Sequence, residues 1–193
     1  MKQLIVATSN PGKLAEMQTY LSQLDWELTL KPPELEVEET GTSFRENAQL
    51  KARTVAQAMG KCAIADDSGL AVAALNGAPG IYSARYANTD EERIARLLRE
   101  LGDTPQREAE FICAVAIALP DGSIALERER RCRGEILRSP RGNNGFGYDP
   151  VFYFPALQKT FAEMESTLKQ KVSHRGQAFS ALFPEILNLS SSC

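Results

Sequence analysis

The strongest constraint on the fold is an alternation of two periods along the chain. Short β-prone apolar runs are each followed by a polar turn, then by apolar residues at helical spacing. Leu4-Ile5-Val6-Ala7 ends at Thr8-Ser9-Asn10-Pro11-Gly12-Lys13, after which Leu14, Met17, Leu21 and Leu24 recur as a helical stripe. Asn10 suits an N-cap and Pro11 a first helical residue. A second helix is expected from Ser43, with Glu46 forming a capping box and Phe44, Ala48, Ala52, Val55 and Met59 facing the core. Cys62-Ala63-Ile64-Ala65 reads as another buried strand, delivering Asp66 and Asp67 at its end.

Further along, Thr89 and Glu92 box a third helix carrying Ile94, Leu97, Leu98 and Leu101, which Gly102 stops. Phe111 to Leu119 is a long strand, turned by Pro120-Asp121-Gly122-Ser123 into a second one over Ile124 to Cys132. Residues 27–40, acidic and carrying Pro32-Pro33, read as extended and irregular. The turn formers of 139–150 make a loop before a short strand over Val151 to Phe154. The tail reads as a turn near Thr160–Met164, a helix around Ser166–Lys171 and a last helix after Ser173. The sum is α/β: a twisted mixed β-sheet flanked by helices, in a single domain over 1–193.

Bulk properties remove several classes. Hydrophobic content of 43% and charged content of 24% are ordinary for a globular protein. A net charge of −3 argues against nucleic acid as a partner. The Leu4–Ala7 run is too short for a signal peptide or a membrane span, so no membrane partner and a cytoplasmic location are expected. Cys62, Cys113, Cys132 and Cys193 form no C-x-x-C pair, so a zinc cluster has little support. Cys62, Cys113 and Cys132 stand among apolar or strand-like residues, where buried reduced thiols are expected.

Five constellations bear chemistry. The Thr8–Lys13 turn offers helix N–H groups, short polar side chains and a lysine to an anion; it also reads as a plain strand-to-helix turn. Asp66 and Asp67 are adjacent carboxylates that repel, so a cation or a raised pKa is expected there, unless both are solvated. Magnesium takes one or two carboxylates plus substrate phosphates; Glu38 and Glu39 read as a source of a further ligand or, as a bare charge run, as a solvated face. Lys51 lies beside its helix's apolar stripe with Asn47 one turn earlier, and points to a polar cleft or snorkels to solvent. Gly145-Phe146-Gly147-Tyr148-Asp149-Pro150 lets a flat ring approach backbone, as base stacking or as a buried turn. His174, the only histidine, is followed by Arg175 and preceded by Lys169; the three read as donors for nucleobase or phosphate oxygens, or His174 as an ordinary core or surface histidine. No P-loop and no Gly-x-Gly-x-x-Gly after a strand is present.

These segments together resemble the inosine triphosphate pyrophosphatase family, its bacterial members above all. The likeness runs through Thr8–Lys13, Glu39-Thr40-Gly41-Thr42-Ser43-Phe44 with Glu46-Asn47-Ala48, Ala65–Leu70, Gly77–Tyr86, Gly145–Pro150, Phe161–Met164 and Ser173–Gly176. Ser9 stands where many relatives have glycine. The resemblance implies hydrolysis of dITP, ITP, XTP and dXTP to the monophosphate and pyrophosphate, which cleanses the nucleotide pool. It also implies two lobes with the active-site cleft between them, a magnesium cofactor and a homodimer. It assigns Asp67 as catalytic carboxylate and Glu39 with Asp67 as metal ligands, Glu38 remaining a rival. Thr8, Ser9, Asn10, Lys13 and Lys51 would grip the triphosphate and Ser68 contact the substrate, while Phe146, Gly147, Tyr148, Asp149, Lys169, His174 and Arg175 would bind the base. A nucleotide-binding sensor without catalysis is the alternative reading.

Overall fold

The computed structural model describes residues 2–22, 24–191 and 193. Its elements are β1 (Lys2–Val6), α1 (Pro11–Leu21), β2 (Trp26–Leu30), α2 (Phe44–Met59), β3 (Ala63–Val72) and α3 (Asp90–Leu101). They continue with β4 (Glu108–Ala118), β5 (Ile124–Ile136), β6 (Phe152–Phe154), β7 (Lys159–Thr160), α4 (Ser166–Val172) and α5 (His174–Ile186). Among the described residues the strands form one seven-stranded sheet in the order β2-β1-β3-β4-β5-β6-β7. β1 pairs in parallel with β2 and β3, whereas β6 pairs antiparallel with β5 and β7. The mixed sheet with helices anticipated above is the observed architecture.

Local chemistry accounts for the element ends. Asn10 caps α1 by accepting from the Lys13 N–H at 3.0 Å, with Pro11 in the first turn. Ser43 caps α2 by accepting from the Glu46 N–H at 3.2 Å. The Glu46 carboxylate reaches back over the helix start, accepting from the N–H and hydroxyl of Thr42 at 2.7 and 2.8 Å, with the Ser43 N–H a weaker influence on it. Thr89 and Glu92 do complete the box of α3, and Gly102 ends that helix at φ 52°.

Three expectations need correction. Residues 26–30 are a strand, not irregular chain: Trp26, Leu28 and Leu30 alternate with Glu27 and Thr29 beside the ladder of β1. β3 does not stop before Asp66 but runs on to Val72. An apolar run read along the chain ends at its first charge, yet these carboxylates are buried and paired with cations, so the strand continues through them. Cys62 is not a reduced thiol: it is bonded to Cys193, a partner 131 positions away that spacing could not reveal. Cys113 and Cys132 are buried and free, as expected.

The chain forms two compact units. The first comprises Met1–Asp67, Cys113–Arg130 and Arg175–Cys193; the second comprises Ser68–Ile112 and Arg131–His174. The first is centred on Leu4, Val6, Met17, Ile64, Val115 and Leu182. The second is centred on Leu70, Leu97, Phe111, Phe152, Phe161 and Met164. Each therefore carries its own apolar core.

Candidate active site

The first unit gathers charge around the middle of β3. Asp66 is 1% exposed, and its Oδ2 accepts from Nε and Nη2 of Arg175, both at 3.1 Å. The Lys13 ammonium lies 3.4 Å from the same oxygen. Arg175 also donates to Glu16 at 2.5 Å, so α1 and the start of α5 hold Asp66 together. Burial opposes ionisation of Asp66, but the Lys13 and Arg175 cations override it and hold its carboxyl well below the usual range. Its Oδ1 is buried without a hydrogen-bond partner among the described residues.

Asp67 has different neighbours. Its Oδ2 accepts from the Asn47 amide at 3.1 Å, and its Oδ1 lies 3.5 Å from the Lys51 ammonium. Lys51 donates to Glu39 at 2.5 Å, so one cation serves two carboxylates. Asn47 in turn accepts from the Gly41 N–H at 2.8 Å, tying the 39–41 segment to α2. A Cβ at Gly41 would stand 2.7 Å from that amide oxygen, which explains the glycine. Burial raises the pKa of Asp67 despite the Lys51 and Lys13 cations. Burial alone would lower that of Lys51, but Asp67, Asp66 and Glu39 carry it up. Two adjacent aspartates thus differ: Asp66 is locked as an anion, while Asp67 has raised proton affinity.

This corner suits a hard divalent cation. Glu39 and Asp67 present oxygen donors to a common positive centre, now the Lys51 ammonium. Two carboxylates are the protein share that magnesium commonly takes when substrate phosphates supply the rest. Glu38 is exposed, whereas Glu39 is half-buried and reaches Lys51.

The second unit builds a separate aromatic and basic group. Lys169 is 7% exposed, donates to Asp149 at 2.6 Å and lies 4.8 Å from the Phe146 ring centroid. The Asp149 carboxylate also accepts from the Phe146 N–H at 3.0 Å, closing the glycine-flanked turn. Gly145 has φ 75° and lies so close that a Cβ would meet Asp149 Oδ2 at 2.0 Å. The Gly147 N–H donates to Asp90 in the first turn of α3 at 2.6 Å. Tyr148 is buried and donates to the Ser83 carbonyl at 2.9 Å. His174 is buried, stacked on Phe111 with ring centroids 4.6 Å apart and planes 9° apart.

Most of the anticipated residues fall into these two groups. Lys13, Glu39, Lys51, Asp67 and Arg175 belong to the first; Phe146, Asp149, Lys169 and His174 to the second. Arg175, anticipated beside His174 at the base, has its guanidinium engaged by Asp66 and Glu16. Asn10 acts as a helix cap and Thr8 accepts from its N–H at 3.2 Å, while Ser9 is exposed. Ser68 is half-buried at the start of the second unit. Sequence reasoning missed Glu16, Asp90 and Phe111, and noted Asn47 without a role. Glu16 lies one turn after Lys13 on α1, a same-face spacing that pointed to it. Phe111 carried no such signal, since a strand aromatic reads as core.

A sequence model of the Ham1 family matches residues 4–185. The chain is 65% identical to a dITP/XTP pyrophosphatase of a Nostoc species, covering 99% of this chain and 97% of that protein. It is 66% identical to a dITP/XTP pyrophosphatase of a Synechocystis species, covering 94% of each. Its fold is similar to a HAM1 protein from Coxiella burnetii, with TM-score 0.88, 43% identity, and coverage of 97% of this chain and 100% of that one. The Ham1 protein of Staphylococcus aureus gives TM-score 0.87 and 41% identity, covering 97% and 99%.

Proposed function

The chain belongs to the Ham1 family, and from that premise we propose that it hydrolyses dITP, ITP, XTP and dXTP to the nucleoside monophosphate and pyrophosphate. The observation that carries this reading is the Glu39–Lys51–Asp67 cluster, two carboxylates sharing one half-buried cation beside the locked Asp66. Such a corner serves a triphosphate and its counter-ion. Glu39 and Asp67 would hold magnesium, which supplies charge neutralisation on phosphate oxygens when bound.

The chain's own residues do the rest. Lys13, Lys51 and the start of α1 attract the triphosphate oxygens and stabilise charge gathering on the pyrophosphate leaving group. Asp67, whose burial raises its proton affinity, orients the water that attacks the α-phosphorus and accepts its proton. The Asn47 amide, donating to Oδ2, holds the Asp67 carboxylate in orientation for this task. Asp66 stays an anion and keeps Lys13 and Arg175 in place.

The base is taken by the second group. Phe146 offers a ring for stacking, and Lys169 and His174 offer donors to the C6 oxygen of hypoxanthine or xanthine. Adenine has an amine there, which would leave a buried donor unpaired. Guanine shares the oxygen, so its rejection needs a contact near C2. A cytoplasmic homodimer completes the proposal, by likeness to the family.

The test is product analysis across a panel of triphosphates with magnesium varied. Pyrophosphate released from dITP and XTP, with dATP and dGTP much poorer, is the expected outcome. Orthophosphate release would overturn the reaction, and tight ITP binding without turnover would favour a sensor.

A further inference from the structure

A cavity of about 590 Å³ opens in the first unit, outside the charged corner described above. Its walls include the Cys62–Cys193 disulfide, Lys2, Lys61, Asp25 and the Trp26 indole. The volume lies in the range that holds small organic ligands. Lys2 Nζ stands 5.3 Å from the Trp26 ring centroid, and Lys61 donates to Gln3. Among the described residues, the Lys2 and Lys61 ammonium groups, the Asp25 carboxylate and the flat Trp26 wall thus lie in one lining with the disulfide. Cys62 is 2% exposed, whereas Cys193 is half-buried, so Cys193 is the more open half of the disulfide.

We propose that this cavity is a docking and exchange site for a small peptide thiol bearing two carboxylates and one ammonium, which opens the Cys62–Cys193 disulfide. Lys2 and Lys61 meet the carboxylates, Asp25 meets the ammonium, and Trp26 covers the aliphatic chain. The thiolate attacks Cys193 Sγ; a new sulfur–sulfur bond forms there and the bond to Cys62 breaks. The electron pair leaves on Cys62 Sγ, which takes a proton from water. A second thiolate then attacks the ligand sulfur of the mixed disulfide, freeing Cys193 and leaving the small-molecule disulfide. Two thiols are oxidised and one protein disulfide is reduced. Disulfides of proteins in reducing compartments are commonly transient in this way. The proposal is independent of the pyrophosphatase reading.

The experiment follows disulfide opening in the full-length oxidised protein by quenched intact-mass analysis. Reduced glutathione is the anionic probe and 2-mercaptoethanol the neutral one. With glutathione the rate should saturate, and the transient adduct should map to Cys193. In Lys2→Gln/Lys61→Gln the glutathione rate should fall about tenfold relative to 2-mercaptoethanol, because electrostatic capture is lost. Each single lysine variant, checked by thermal melting, should show part of that loss. Pyrophosphate release by these variants should stay at the wild-type level. A glutathione rate linear in concentration, an adduct on Cys62, or an unchanged rate ratio would each overturn the proposal, as would a purified protein lacking the disulfide under non-reducing conditions.

Discussion

Asp66 and Asp67 are neighbours of one chemical type, and their surroundings give them opposite tasks. Asp66 faces Arg175 and Lys13, which keep it ionised; Asp67 faces the Asn47 amide and a shared lysine, and burial raises its proton affinity. Asp67→Asn should keep the fold while lowering kcat for dITP by about 10³-fold, within the range for loss of a positioned base. Pyrophosphate assay with a parallel melting curve checks this, and a fully active variant would remove Asp67 from its role. Asp66→Ala should behave differently. It takes one carboxylate partner from buried Arg175, which keeps Glu16, and one from half-buried Lys13, and breaking a buried charge pair costs about 3 kcal/mol. A urea midpoint equal to wild type would show that Asp66 is no anchor. Neither assignment was legible from the adjacent letters, because what separates the two carboxylates lies on α1, α2 and α5.

At the scale of elements, capping chemistry was the most readable layer. Asn10, Ser43 and Thr89 each accept from the backbone N–H three residues on, as short-range spacing implied. Thr89→Ala should therefore lower stability by about 1 kcal/mol, read as a shifted denaturation midpoint with unchanged kcat. The 145–149 turn is the less obvious case. Its glycines suggested a ring approach, but the reason for Gly145 is the Asp149 carboxylate that closes the turn. Gly145→Ala meets both a positive φ and that carboxylate, so it should displace Asp149 from Lys169. The expected result is a raised KM for dITP; an unchanged KM would show that the turn is not part of base binding. β2 was missed because its apolar residues alternate beside acidic ones and prolines, a pattern that a loop shares. The run of β3 was cut short because charge in a strand is ordinarily solvent-facing.

For the whole molecule, metal removal is the informative perturbation. Chelation should abolish pyrophosphate release and leave the thermal transition near its original temperature, since both units hold apolar cores that need no ion. A transition that collapsed on chelation would mean a structural metal instead. The α/β class, the caps and turns, and the motifs that point to a triphosphate are legible in the chain alone. Those features depend on residues within a few positions of one another, where spacing and propensity act directly. That Lys51 joins Glu39 to Asp67, that Arg175 serves Asp66 and that Cys62 meets Cys193 emerges from folding. Those partners are distant in the chain, and burial and charge become defined only once folding has brought them together.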